Sequence, residues 1–170
     1  MTARIHSLWL MPAPSDEALL AGIVSELSGR FGTPLFAPHL TLQGDTETTP
    51  AVLERAVTTV ADTVEAFSEP VTAVEGIESY FRSFYARFAA SAPLTTLKRT
   101  LDPEDSTPFM PHVSLLYGAV EPSAKAAAIT EIGARLAGRT IRFDRIGIVT
   151  SGQDVPIADW RVVTSIALRS

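Results

Sequence analysis

Apolar positions along this chain change period several times, and each change predicts an element. Residues 3–11, ARIHSLWLM, alternate, with Ile5, Ser7 and Trp9 on one face and His6, Leu8 and Leu10 on the other, which predicts a strand. Pro12 and Pro14 stop it. From Ser15 the period lengthens. Leu19, Leu20, Ile23, Val24 and Leu27 fall at helical spacing, with Ser15 as N-cap, Asp16 and Glu17 in the first turn, and Gly32 as the stop. A strand carrying His39 follows, then a polar loop over 44–49. Thr49 and Pro50 open a second helix whose apolar face is Leu53, Val57, Val60, Ala61 and Val64. Glu69 and Pro70 interrupt the pattern before strands over 71–76 and 80–90. A helix over 92–101, an acidic loop over 102–108 and a strand carrying His112 come next. A helix from Pro122 then runs until Gly138 stops it. Two further strands, about 139–150 and 160–168, flank a loop over 151–159.

The two histidine strands share one frame. Residues 33–43 read TPLFAPHLTLQ and residues 107–116 read TPFMPHVSLL. Each has Thr-Pro, a phenylalanine, a proline and a histidine followed two residues later by a hydroxyl. Side chains two apart on a strand point the same way, so His39 and Thr41 share a face, as do His112 and Ser114. Leu40, Leu42, Val113 and Leu115 turn into a core. The element order is then β-α-β(His)-α-β followed by β-α-β(His)-α-β-β. We expect an α+β fold, a bilobal duplicated unit of two antiparallel sheets flanked by helices, with an active-site cleft between the lobes. Residues 1–170 would form a single domain of two pseudo-symmetric lobes.

Composition narrows the chemistry. The chain has 170 residues, 46% hydrophobic, with a formal net charge of −5. An acidic balance argues against a broad phosphate-neutralising surface for long nucleic acid, though not against a small anion in a local pocket. No cysteine is present, which removes disulfides and thiolate chemistry and fits a cytoplasmic location. The first residues lack a signal-peptide layout, and no stretch reaches the roughly 18 apolar residues of a membrane span. No protein partner is indicated.

Two imidazoles and two hydroxyls form a usable set. Histidine, with an ordinary pKa of about 6.5, can take or give a proton near neutral pH. Displacement at phosphorus needs a base for the attacking water and an acid for the leaving alkoxide. Thr41 and Ser114 would donate to the non-bridging oxygens. A zinc hydrolase on His39 and His112 is a weaker reading, since no carboxylate lies in the motifs. His6 lies outside the repeat. Arg82 and Arg87 flank an aromatic strand, where steering of a phosphate competes with plain solvation, and solvation is taken. The acidic loop 102–105 is also read as solvated.

These residues resemble the 2H phosphoesterase superfamily and, within it, the cyclic phosphodiesterases of plants. His39-Leu-Thr41-Leu and His112-Val-Ser114-Leu carry the resemblance. Ser7-Leu-Trp9-Leu-Met-Pro, Phe36-Ala-Pro38, Tyr80-Phe-Arg-Ser-Phe84 and Ser106-Thr-Pro-Phe-Met-Pro111 with Tyr117 support it. It implies a bilobal fold and metal-independent hydrolysis, without cofactor, of a small cyclic phosphate to a phosphomonoester. The substrates it implies are nucleoside 2′,3′-cyclic phosphates or ADP-ribose 1″,2″-cyclic phosphate. Relatives acting on RNA ends, including 2′-5′ linkages, make RNA-end processing or ligase-like activity the alternative, beside a catalytically inactive RNA- or nucleotide-binding module. His39, Thr41, His112 and Ser114 take the implied catalytic roles; which histidine is base and which acid depends on how the substrate lies and stays open in the sequence, with a lean to His112 as base and His39 as acid. Trp9, Phe84 and Tyr117 are the implied substrate contacts. Strict alternation turns Tyr117 away from His112, so its role needs a bulge at the strand end. Ser114 stands where the family often has threonine.

Overall fold

The computed structural model describes residues 3–170. Seven strands and four α-helices alternate as β1 (His6–Pro12), α1 (Pro14–Phe31), β2 (Leu40–Thr46), α2 (Pro50–Ala61), β3 (Phe67–Glu75), β4 (Phe84–Phe88), α3 (Ala92–Leu101), β5 (His112–Leu116), α4 (Pro122–Leu136), β6 (Thr140–Thr150) and β7 (Arg161–Ala167). The strands form one antiparallel sheet in the order β1-β2-β5-β4-β3-β6-β7, and a further β1–β6 pairing closes it. The expectation of two sheets is corrected here: hydrogen bonding joins all seven strands into one sheet, six of them in a closed ring and β7 added beside β6. The reason lies in β6. Its 11 residues are long enough to pair with β3 through 140–143 and with β1 through most of their length.

The duplication read from the sequence maps onto this topology. Exchanging β1 with β4, α1 with α3, β2 with β5, α2 with α4 and β3 with β6 carries the pairings of the closed ring onto themselves. Helix contacts obey the same exchange. Helix α1 packs on β5 while α3 packs on β2, and α2 packs on β6 while α4 packs on β3. Each half therefore backs the other half's histidine strand. The pseudo-two-fold relation runs through the β2–β5 contact, where Leu40 pairs with Val113.

Local chemistry sets most element ends. Gly32 stops α1 in the left-handed region at φ 68°, which costs glycine little. Helix α1 starts at Pro14 with Ala13 at the N-cap, ahead of the expected cap at Ser15. Pro70 does not break β3. It lies where pairing passes from β6, through Phe67–Pro70, to β4, from Val71 onward. The expected strand over 80–90 begins only at Phe84, because Tyr80–Arg82 forms a 3-10 turn. Leucine, isoleucine and valine side chains from every helix and from one face of the strands fill one core, including Leu8, Leu10, Leu40, Leu42, Val113 and Leu115, all fully buried, while Trp9, Met11 and Val149 on the alternate face form a separate cluster with Trp160. Burial of this kind stabilises by about 1.5–3 kcal/mol per large side chain.

The acidic loop is not free. Lys98 on α3 bridges Asp102 at 2.8 Å and Asp105 at 2.9 Å, and donates to the Leu42 carbonyl at 3.0 Å. One lysine thus ties the loop that delivers His112 to the strand that follows His39. No helix among the described residues is long and apolar enough to cross a membrane.

Candidate active site

The β2–β5 contact is where the repeated frames meet. With Leu40 opposite Val113, continuing the antiparallel register by one residue sets His39 across from Ser114 and Thr41 across from His112. Four side chains then mark a square with an imidazole and a hydroxyl on each strand and the imidazoles on a diagonal. The backbones of diagonal cross-strand neighbours lie roughly 7–8 Å apart, close enough for both imidazoles to reach one phosphate. All four line a single cavity of about 350 Å³.

Both imidazoles are held the same way. His39 Nδ1 lies 2.7 Å from the Ala37 carbonyl and His112 Nδ1 lies 2.8 Å from the Met110 carbonyl. A carbonyl only accepts, so Nδ1 carries the proton in each ring and Nε2 is left for the cavity. Proline at 38 and 111 precedes each histidine, and its fixed φ helps set the carbonyl two residues back. Each ring also meets an aromatic from the same place in its half. Trp9, paired with Thr41, stacks on His39 with centroids 3.5 Å apart and planes within 5°. Tyr85, paired with Ser114, tilts against His112 at 5.1 Å.

Burial sets the protonation. Desolvation lowers the His39 pKa to about 4, with the nearby His112 adding to the fall and the Ala37 hydrogen bond opposing it. His112 is also lowered by burial, then by Arg82, against the hydrogen bond to Met110. Burial raises the Tyr117 hydroxyl, opposed by neighbouring Ser114, so it is a proton-bearing group at neutral pH.

The His39 shift predicts a pH effect on stability. The folded pKa of about 4 lies below the unfolded value of about 6.5. Between them the unfolded chain binds more protons, so this contribution is complete above about pH 6.5 and is lost as pH falls to 4. The loss is about 3 kcal/mol. Urea unfolding across that range is expected to show a shallower fall in stability for His39→Gln than for the wild-type chain. Parallel curves would remove His39 as the source.

The aromatic residues divide. Trp9 lines the cavity, and so does Tyr117. Tyr117 reaches it through a bulge: Phe84 pairs with Leu116 and Tyr85 with Ser114, so β5 carries one extra residue. Leu115 and Leu116 both turn into the core, and the alternation restarts with Tyr117 in phase with His112 and Ser114. Phe84 requires a correction. It is fully buried in the core and lies outside the cavity wall. The 3-10 turn rephases this segment, and Phe81 and Arg82 face the cavity instead. Arg87 is tied to Glu75 at 3.0 Å. His6, 4% exposed, sits outside the cavity with Nδ1 unpaired.

Further cavity residues were not singled out from sequence. Trp160 touches Trp9, Phe81 and Tyr117 with centroids 5.8, 6.2 and 5.8 Å away, and its indole donates to the carbonyls of Gly152 and Val155. Ser7 and Ser151 share a 2.6 Å hydrogen bond on the same wall. Asp45 and Gln153 also line the cavity. A tryptophan just after a polar loop was the available signal; what it packs against comes only from the fold. Among the described residues, no group of three or more His, Asp or Glu side chains gathers to hold a metal.

Comparison with known proteins places the chain in a family. Residues 5–168 match the family model described as cyclic phosphodiesterase-like protein. The chain belongs to that family, within the 2H phosphoesterases, and is accordingly a hydrolase of the phosphodiesterase type. The cyclic phosphodiesterase of Arabidopsis thaliana is 22% identical over 167 residues, 94% of this chain and 92% of the plant protein. Among solved structures, TT0787 of Thermus thermophilus superposes with a TM-score of 0.64 at 16% identity, covering 97% of this chain and 98% of that one. Escherichia coli LigT in complex with 3′-AMP gives 0.60 at 13% identity, covering 99% and 100%. At these identities the structural likeness speaks for the fold.

Proposed function

We propose that the chain hydrolyses a small cyclic phosphate, a nucleoside 2′,3′-cyclic phosphate or ADP-ribose 1″,2″-cyclic phosphate, to a phosphomonoester by two-histidine acid/base catalysis. The observation that carries this reading is the diagonal pair of imidazoles, each with Nδ1 fixed on a backbone carbonyl and Nε2 free for the cavity. A phosphate between them meets an imidazole on two sides and the hydroxyls of Thr41 and Ser114 on the others.

His39 is the base in this scheme, and His112 is the acid. His39 is 5% exposed and neutral at pH 7, ready to accept. His112 is only half-buried, so desolvation penalises its protonated form less than that of His39. The sequence left these two roles open, with a lean to the opposite order. Water attacks phosphorus as its proton passes to His39 Nε2, a new P–O bond forms, and the ring P–O bond breaks. The leaving oxygen takes the proton of His112 Nε2. Exchange with solvent resets both rings. Thr41 and Ser114 donate to the non-bridging oxygens as charge builds there. Trp9 keeps His39 desolvated by lying flat on it, while Phe81, Tyr117 and Trp160 offer stacking surfaces for a base.

The complex of LigT with 3′-AMP shows a nucleoside monophosphate bound to a protein of this fold, which supports a ligand of that size. The test is turnover of a panel of nucleoside 2′,3′-cyclic phosphates and ADP-ribose 1″,2″-cyclic phosphate in excess chelator. Phosphomonoester is expected at an unchanged rate with and without chelator. A rate abolished by chelation, or binding of every cyclic phosphate without turnover, would overturn the proposal.

A further inference from the structure

The cavity does not end at the histidines. A groove of about 590 Å³ continues from it, sharing Phe81 and Gln153 as common walls. Its apolar floor is Pro34, Tyr80, Val155 and Pro156. Charge along this combined path is uneven. Arg82 is the cationic side chain of the cavity, beside the His112 end. Among the described residues it makes no salt bridge, whereas nearby Arg87 is committed to Glu75. The acidic side chains along the path are Asp45 in the cavity wall and Asp154 in the groove. No lysine or arginine among the described residues lines the groove.

We propose that Arg82 in the cavity, together with Asp45 in its wall and Asp154 in the groove, forms a charge filter, which accepts substrates with a single phosphate and rejects those carrying a second phosphate along the groove. The inference rests on the cyclic phosphodiesterase reading and selects among its substrates. A nucleoside 2′,3′-cyclic phosphate sets its one anionic group by Arg82 and points neutral sugar and base toward the carboxylates, which accept from hydroxyl or amino donors. ADP-ribose 1″,2″-cyclic phosphate carries a pyrophosphate beyond the reacting ring. That pyrophosphate would enter a groove with an anionic wall and no cation to meet it. Like-charge juxtaposition of this kind discriminates by repulsion rather than by added contacts. Arg82 acts at the phosphate itself, where its guanidinium can engage two oxygens.

Asp45 and Asp154 are exposed, so their field is screened over roughly 8 Å at physiological salt. The filter is therefore salt-dependent. Asp45 accepts from the Gln153 backbone N–H at 3.2 Å, a bond that asparagine oxygen can keep. Asp45→Asn with Asp154→Asn consequently removes charge with little change of shape.

The experiment compares kcat/KM for adenosine 2′,3′-cyclic phosphate and ADP-ribose 1″,2″-cyclic phosphate at low and high salt. Binding of 2′-AMP, ADP-ribose and inorganic phosphate is measured in parallel by calorimetry. The single-phosphate substrate is expected to be favoured by at least about tenfold at low salt, a ratio equivalent to 1.4 kcal/mol. That ratio should shrink in the double Asn variant and at high salt. Arg82→Ala is expected to weaken inorganic phosphate binding and raise KM for both substrates. Preference for the pyrophosphate substrate, or a ratio indifferent to both carboxylates, overturns the filter while leaving the hydrolase reading intact. Should neither cyclic phosphate be turned over, the hydrolase reading fails, and the binding ratio of 2′-AMP to ADP-ribose across the same variants decides the filter alone.

Discussion

Replacing either His39 or His112 by alanine is expected to lower kcat/KM for a nucleoside 2′,3′-cyclic phosphate by roughly 10²–10⁴-fold, the usual worth of one positioned acid or base. The double variant should lose little beyond the worse single one, because a base without its acid, or the reverse, cannot complete the transfer. His39→Ala also opens space against Trp9, so it should cost stability as well as rate. His112→Ala lacks a flat-stacked partner and should leave unfolding closer to wild type. Steady-state kinetics with urea unfolding on the same preparations separates these effects. Additive losses in the double variant would mean that the rings act independently.

The second large effect falls on a glycine remote from the histidines. Gly76 follows β3, and a Cβ there would run into the backbone carbonyl of Ser83. The obstacle is backbone, so no side chain can rotate away. The Ile77 amide donates to the Arg82 carbonyl at 3.0 Å, which holds the 77–83 segment as a tight bend. Gly76→Ala is therefore expected to destabilise by about 3 kcal/mol, at the upper end of overpacking costs. Because that bend carries Phe81 and Arg82 into the cavity, KM for the cyclic phosphate should also rise at temperatures where the variant stays folded. Unfolding midpoints and KM measured together check this. A variant as stable as wild type would show that the bend relaxes freely.

Much of this arrangement was legible in the residues, for identifiable reasons. A period of two with apolar residues at 40, 42, 113 and 115 could only be satisfied by strands that face His39, Thr41, His112 and Ser114 one way. The repeated frame announced a duplication, and the pairing pattern of the ring follows it. What was lost depended on neighbours distant in sequence. Nothing in the order of elements says that β6 pairs with both β1 and β3, so two sheets were expected where one closes. Phe84 and Phe81 are equally aromatic, and only the turn at Tyr80–Arg82 decides which one reaches the cavity. Tyr117 is the instructive case. Alternation turned it away, and one extra residue in β5 brings it back. Trp160 and Asp45 join the wall through contacts across the fold that no local pattern encodes.

The central claim is that water is the nucleophile at phosphorus and that the two histidines alone move the protons. Its most direct test is the hydrolysis of a nucleoside 2′,3′-cyclic phosphate in oxygen-18 water with excess chelator, the product being weighed by mass spectrometry. One oxygen-18 atom in the phosphate of each product molecule, formed by the wild-type chain and not by the double histidine variant, is the predicted result. Product without the label, or label incorporated equally well by the variant, would contradict it.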